Sequence, residues 1–243
     1  TLQVMISIKN SPTEILKINK QNEHILNRYD IPHKSKKSIE KTSYKKDINP
    51  NFIVDVLNSF ENTESIDHKV FIKYRVPLII DYLEKSHFYY RTKRLPEIEQ
   101  NIYNLITKFE DKKPLLYLFH YFFKVYQNEL CKHFKEEEQK VFPYALNLYN
   151  AVYFKSRADR NLLKIQKKNA IAFMKNHRKQ ESDLRVLHKA ILKYSPPANN
   201  LSIYQIILSQ LKSFQQDLNL HASIEENVLE TKLISLESYL NLK

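Results

Sequence analysis

Hydrophobic residues recur three and four positions apart along most of the chain, which is the period of an amphipathic α-helix. This pattern predicts one helix over residues 12–29 and a shorter one over "NPNFIVDVLNSF" at 49–60. Ser11, with Glu14 three residues later, is typical of a capped helix start. We therefore expect a small helical N-terminal domain over residues 1–61, and a linker over residues 62–69.

Four longer segments with the same period follow, and they predict a main domain over residues 70–243. The segments run over about 70–109, 113–150, 156–194 and 202–240. Pro77 and Pro96 either start sub-helices or kink the first segment, and Pro143 lies late in the second. Long helices joined by short connections favour antiparallel packing. The prediction is an all-α protein whose main domain is an up-down-up-down four-helix bundle.

The 243-residue chain contains no glycine. Tight hairpins and phosphate-cradling loops depend on glycine at positive φ, which argues against β-hairpin architectures, Rossmann folds and P-loops. Asn, Asp, Lys and Pro are expected to form the turns, as in "SPPANN" at 195–200. A single cysteine, Cys131, excludes an internal disulfide framework, a CxxC redox pair and a Cys-rich zinc site.

The formal net charge of +12 comes mainly from dispersed lysines, which are typical of a solvated surface. The exception is the segment 155–179, which contains nine Lys or Arg residues and only one acidic residue. This segment could bind nucleic acid or an acidic partner. Nucleic acid is nevertheless not the expected partner. No apolar run approaches the length of a membrane span, and the first residues do not resemble a signal peptide. We expect a cytoplasmic protein that does not bind a membrane.

Histidine is followed by glutamate four positions later in three places. The pairs are His133/Glu137, His177/Glu181 and His221/Glu225. Positions i and i+4 lie on one face of a helix, so both side chains of a pair can reach one metal ion.

Each long segment also carries one histidine at a comparable position. These histidines are separated by 46, 44 and 44 residues: His87, His133, His177 and His221. In an antiparallel bundle such positions return to a similar level, so four imidazoles and two carboxylates could converge. That donor set suits iron, zinc or manganese better than copper(I). The alternative is an ordinary satisfied or surface role, which we assign to the other histidines: His24, His33, His68, His120 and His188.

These motifs resemble the hemerythrin-like (HHE cation-binding) family, and most closely its di-iron branch that repairs iron–sulfur clusters. "HFKEEEQKVFP" at 133–143 fits the pattern H-x-x-x-E-E-Q-x-x-F-P of that branch, and "HASIEENVL" at 221–229 fits H-x-x-x-E-x-N-V-L. "SHFYYRTKRLPEIEQ" at 86–100 resembles the first helix, and "FMKNHRKQESDL" at 173–184 the third. "ILNRYDIP" at 25–32 resembles part of the family's small N-terminal domain.

The resemblance implies a hemerythrin-like bundle around two non-haem iron ions, bridged by oxo and carboxylate groups. The terminal nitrogen ligands would be His87, His133, His177 and His221, the bridging carboxylates Glu137 and Glu225, and a further candidate ligand Glu181. Phe88, Phe134 and Phe142 would either limit water near the site or simply form the bundle core.

The same resemblance implies a role in nitrosative or oxidative stress. The protein would bind or reduce nitric oxide, or deliver iron to damaged clusters, with O2 and NO as ligands and iron–sulfur proteins as partners. A nitric oxide reductase-like enzyme is one alternative. The other is a sensor or binding module that signals through a partner without turnover. A homodimer is a further open alternative.

Three departures from the family pattern narrow these expectations. The repair branch has a Cys-Cys pair where this chain reads "PHKSKKS" at 32–38, so thiol-dependent repair chemistry is not expected. The fourth motif continues as "VLETK", where Phe-Pro often follows Val-Leu. Oxygen carriers have a second histidine where this chain has Glu181, which argues against a simple oxygen carrier.

Overall fold

The computed structural model describes residues 5–44, 46, 48–61, 66–108, 113–154, 161–173, 186, 189 and 201–241. Over these ranges the chain is mainly helical and contains no β-strand, which confirms the all-α prediction. The helices are α1 (Pro12–Ile18), α2 (Glu23–Arg28), α3 (Ile39–Tyr44), α4 (Pro50–Glu61), α5 (Lys69–Ile72), α6 (Val76–Tyr89), α7 (Leu95–Lys108), α8 (Lys113–Tyr153), α9 (161–173), α10 (Leu201–Ile224) and α11 (Glu230–Tyr239). Two π-helical segments are Tyr90–Arg94 and Glu225–Leu229.

The chain divides into two compact units. The first unit combines Thr1–Tyr89 with Gln216–Lys232, and the second combines Tyr90–Gln215 with Leu233–Lys243. In the first unit, α2 and the π-helical segment 225–229 both contact α6. In the second unit, α7 packs against α8. The division predicted from the sequence, into residues 1–61, 62–69 and 70–243, stays a prediction. No helix in the described ranges is long and apolar enough to span a membrane.

The helix predicted over residues 12–29 is capped as expected, but it is broken in two. Glu14 Oε2 accepts the Ser11 N–H at 2.7 Å and Ser11 Oγ accepts the Glu14 N–H at 3.3 Å, which confirms the predicted cap. α1 ends at Ile18. The next residue, Asn19, has an extended backbone, and its Oδ1 accepts the Gln21 N–H at 2.9 Å. This side-chain bond offers the backbone an alternative to a continuous α-helix. A short 3-10 helix, Lys20–Asn22, follows directly, and the chain is α-helical again in α2.

Asp and Asn occupy the left-handed backbone positions of this glycine-free chain. Among the described residues these are Asp30, with φ of 49°, and Asn241, with φ of 51°. Short polar side chains tolerate this region better than other residues do. At Asp30 the chain leaves α2 through a hydrogen bond from Ile31 N–H to Leu26 O of 2.9 Å, which is typical of a Schellman helix end. Asp and Asn therefore serve as turn residues, as the composition predicted.

The prolines of the long segments lie close to helix starts or inside α8. Pro77 is the second residue of α6, where its missing N–H leaves no helical hydrogen bond unmade. Pro96 is the second residue of α7 and follows the π-helical segment 90–94 directly. Because Pro96 cannot donate to the carbonyl of Thr92, the irregular turn lies where the α-helical ladder would be interrupted. Pro143 lies inside α8.

Aromatic side chains fill the core of each unit. In the first unit, Phe52 packs edge-to-face at centroid distances of 4.9–5.8 Å against Phe71, Tyr74 and Tyr82. In the second unit, the Tyr90 ring lies 5.7 Å and 5.2 Å from the rings of Phe134 and Phe214. Offset and edge-to-face pairs of this kind stabilise a core beyond the area that they bury. They anchor α6 and α8, the helices of His87 and His133.

Candidate metal centre

The first unit brings together two histidines from distant parts of the chain. His87 lies near the end of α6 and His221 lies in α10, and their ring centroids are 4.8 Å apart. The His87 residue is fully buried, and His221 is only 3% exposed. Two imidazoles this close can both contribute nitrogen donors to one metal environment.

Glu225 follows His221 by one helical turn and is also buried. It begins the π-helical segment 225–229, in which the Glu230 N–H donates to the Glu225 carbonyl oxygen five residues earlier. The other π-helical segment begins three residues after His87. Such insertions are rare and are frequently found at functional sites. Both His87 and His221 are thus followed, within about one turn, by the start of a π-helical segment.

The second unit carries the His133/Glu137 pair on α8. His133 Nε2 lies 2.8 Å from Glu137 Oε1, and both side chains are buried. Their spacing of four residues places them one above the other on the helix face. This contact joins an imidazole to a carboxylate, the two donor types that suit iron.

The acidic run around Glu137 separates an inward from an outward face. Glu137 is fully buried, whereas Glu136 and Glu138 are partly exposed. Glu136 pairs with Lys140 at 3.1 Å, and Glu138 accepts both guanidinium nitrogens of Arg91 at 2.9 and 3.1 Å. The inward orientation of Glu137 agrees with the sequence prediction, and its role as a metal ligand stays a prediction.

The aromatic residues expected to limit water divide between buried and exposed positions. Phe134 and Phe142 are buried, and the ring of Phe173 lies 5.8 Å from that of His133. The expectation for Phe88 was wrong, because its side chain is 64% exposed. Adjacent helical residues point about 100° apart, so the neighbour of an inward His87 is turned towards solvent.

The predicted ligands are distributed over both units. The first unit holds His87, His221 and Glu225, and the second holds His133 and Glu137; outside the described residues lie His177 and Glu181. Among the described residues, no group of three or more His, Cys, Asp or Glu is placed to hold a metal ion. The five described residues are all buried, and imidazole and carboxylate are donor types that suit iron.

The first unit contains a buried ion pair that was not predicted from the sequence. Arg28 of α2 pairs with Asp217 of α10, and their side chains are 0% and 2% exposed. Arg28 also donates to Ser86 Oγ at 3.2 Å. Ser86 immediately precedes His87, and Asp217 precedes His221 by four residues. Arg28 therefore contacts two residues that lie close along the chain to His87 and His221 respectively.

A sequence signal for one half of this ion pair was available. Asp217, His221 and Glu225 follow one another at intervals of four, which places all three on one helix face. Its partner, Arg28 on α2, could not be predicted from the sequence, because no spacing rule links residue 28 to residue 217.

Two tyrosines of α6 enclose the Arg28 guanidinium. Its central carbon lies 5.7 Å from the Tyr82 ring centroid and 5.6 Å from that of Tyr89, within the range of cation–π attraction. His24 Nδ1 lies 2.9 Å from the Tyr89 hydroxyl, so this histidine has a satisfied role, as expected. Burial raises the pKa of Tyr82 to about 12, and its phenol therefore stays protonated at neutral pH.

In comparisons with known proteins, no family model matches this chain and no curated protein matches it significantly. The resemblance to the hemerythrin-like family therefore stays a prediction. It depends on the motifs at 133–143 and 221–229, together with the matches in the first and third long segments.

Proposed function

We propose that this chain is a non-haem di-iron protein of the hemerythrin and iron–sulfur cluster repair type, acting in nitrosative or oxidative stress. The observation that carries the proposal is the burial of all five described members of the predicted ligand set, none of which is more than 7% exposed. Glutamate is seldom buried, and histidine only sometimes. Burying a carboxylate is unfavourable unless it is paired or coordinates a cation.

The proposal includes an up-down-up-down four-helix arrangement of the long helical segments. Helix length supports it, because α8 has 41 residues and α10 has 24. Helices of this length can present one histidine each at a similar level of a bundle.

The chain's own residues would hold the metal. In this proposal four histidines supply neutral imidazole nitrogens: His87, His133, His221 and, outside the described residues, His177. The carboxylates come from Glu137 and Glu225. Bound iron would supply a redox-active Lewis acid with open positions for O2 or NO. Burial of the donors excludes water and lowers the local dielectric, which strengthens their attraction for a cation.

Metal analysis of anaerobically purified protein tests the proposal. We expect about two iron ions per chain and oxo-to-iron charge-transfer bands in the ultraviolet–visible spectrum after oxidation. His133→Ala and His221→Ala should each lower the iron content. His120→Ala is the matched control, because His120 also lies on α8 but is partly exposed and contacts Glu99 at 3.2 Å. An iron content that neither histidine substitution changes would contradict the proposal.

A second measurement separates an enzyme from a sensor. Consumption of nitric oxide by the reduced protein, with formation of N2O, would support a reductase-like activity. Reversible binding without consumption would instead identify a sensor or binding module. The thiol-free stretch 32–38 favours this second function, because the repair branch carries its Cys-Cys pair there.

A further inference from the structure

Arg28 connects the two helices that carry the histidine pair of the first unit. Its Nη1 donates to Ser86 Oγ at 3.2 Å and to the Tyr82 hydroxyl at 3.4 Å, both on α6. Its Nη2 pairs with Asp217 on α10. A guanidinium is a planar fork with fixed donor directions, so it can bond two helices at once in a defined geometry.

These bonds lie within about one helical turn of the histidines. Ser86 is the residue before His87, and Asp217 is four residues before His221. Four residues correspond to about 6 Å along a helix axis. The fork therefore fixes the approach of α6 and α10 next to the level at which the two rings meet.

Breaking this ion pair should strongly lower the free energy of unfolding. Both side chains are almost completely buried, and removing either partner leaves an uncompensated charge in the core. Replacing both partners by apolar groups, by contrast, is often neutral or stabilising. A role in stability alone would therefore be met as well by an apolar pair, whereas a role in geometry would not.

We propose that Arg28 is a positioning residue, which sets the distance between α6 and α10 and so holds the His87 and His221 rings 4.8 Å apart. The N-terminal helix α2 thereby takes part in building the histidine pair. The effect on iron binding rests on the proposed function, whereas the ring spacing does not.

The test compares variants of the metal-free full chain by NMR. Arg28→Lys keeps the charge but loses the fork, and the double variant Arg28→Met/Asp217→Leu buries no lone charge and should still fold. Asp55→Asn is the matched control, because Asp55 is in the same unit but pairs with Lys73 and Tyr74, outside α10. The readout is the nuclear Overhauser cross-peak between the two histidine rings.

We expect the cross-peak in the wild-type protein and in Asp55→Asn, and its loss or severalfold weakening in both Arg28 variants. If Arg28→Lys does not fold, the cross-peak in the double variant alone tests the proposal. A wild-type cross-peak in the folded double variant would overturn the proposal. Equal weakening in Asp55→Asn, or no cross-peak in the wild type, would overturn it as well.

Iron titration supplies a second readout. If the proposed function holds, Arg28→Lys should bind iron about 10-fold more weakly, as is usual when the support of a metal ligand is lost. A wild-type protein that shows the ring cross-peak but binds no iron would end the proposed function and leave the positioning role of Arg28 intact. Wild-type iron affinity in an Arg28→Lys protein that has lost the cross-peak would refute the link between spacing and metal binding.

Discussion

The two units hold their histidines in different ways. His133 and Glu137 lie four positions apart on one long helix, so the helical repeat alone brings them together. His87 and His221 are 134 positions apart, and only the packing of α6 and α10 brings their rings to 4.8 Å. Two side chains on the same helix stay close together as long as that helix is folded. Two side chains on different helices stay close only if other contacts also hold those helices at a fixed distance.

One ion pair from each unit illustrates a second difference, in burial. In the first unit Arg28 and Asp217 are almost completely buried, whereas in the second unit Arg91 and Glu138 have side chains that are 30% and 25% exposed. Water screens the second pair and can replace either partner. The first pair is shielded from water, so removing one of its partners leaves an uncompensated charge in the core.

The largest expected effect follows from breaking the buried pair. Asp217→Asn leaves the Arg28 charge uncompensated, which should lower the free energy of unfolding by about 3–5 kcal/mol. Glu138→Gln breaks the partly exposed pair and should cost only about 0–1 kcal/mol. Urea unfolding at neutral pH, followed by circular dichroism, measures both. Equal losses of unfolding free energy in the two variants would show that burial does not make the first ion pair more important for stability than the second.

Iron binding should produce the next largest effect. Under the proposed function, iron at 100 times its dissociation constant raises the free energy of unfolding by about 2.7 kcal/mol, because it binds only the folded chain. His133→Ala in the second unit and His221→Ala in the first should each reduce this increment, and His120→Ala should retain it. Anaerobic thermal unfolding with and without iron gives the comparison. An increment that survives both of the first two substitutions would place the metal elsewhere.

The features that the sequence predicted are local ones. The Ser11–Glu14 cap and the inward Glu137 follow from residue type and helical spacing, and both are present. The break at Asn19 was not predicted, because a side-chain hydrogen bond there overrides an apolar period that continues through it.

The features that the sequence did not predict depend on contacts distant along the chain. The approach of Arg28 to Asp217 spans 189 positions, and no periodicity encodes a distance of that kind. The π-helical segments were missed for a related reason. An inserted residue leaves the apolar spacing at three, four or five, which is hard to distinguish from an ordinary helix in one sequence.

Alkaline pH should produce an effect of similar size in the core of the first unit. The Tyr82 pKa is raised by burial from its ordinary value of 10.0 to about 12, so the unfolded chain loses this proton first. The contribution of the protonated Tyr82 phenol to the free energy of unfolding should therefore be fully present below pH 10. It should fall by about 2–3 kcal/mol between pH 10 and 12. Tyr82→Phe should flatten that part of the curve. Urea unfolding at several pH values measures the slope.

The control for this measurement is Tyr103→Phe, which removes an exposed phenol from the second unit and should change stability by less than about 0.5 kcal/mol. If Tyr82→Phe leaves the slope between pH 10 and 12 unchanged, the folded and unfolded chains ionise alike at this position. The buried environment assigned to Tyr82 would then be wrong.

The smallest expected effect concerns the start of α1. This helix has seven residues, too few to persist without tertiary contacts, so its capping bonds are a large part of what holds it. Ser11→Ala removes the acceptor for the Glu14 N–H and should cost about 1 kcal/mol. Because Ser11 belongs to the first unit, faster hydrogen exchange should appear in α1 and α2 but not in α8. Ser238→Ala, which removes an exposed hydroxyl in α11, should leave exchange unchanged everywhere. Faster exchange in α8 of the Ser11 variant would mean that the units do not respond separately, which contradicts the distinction drawn between them.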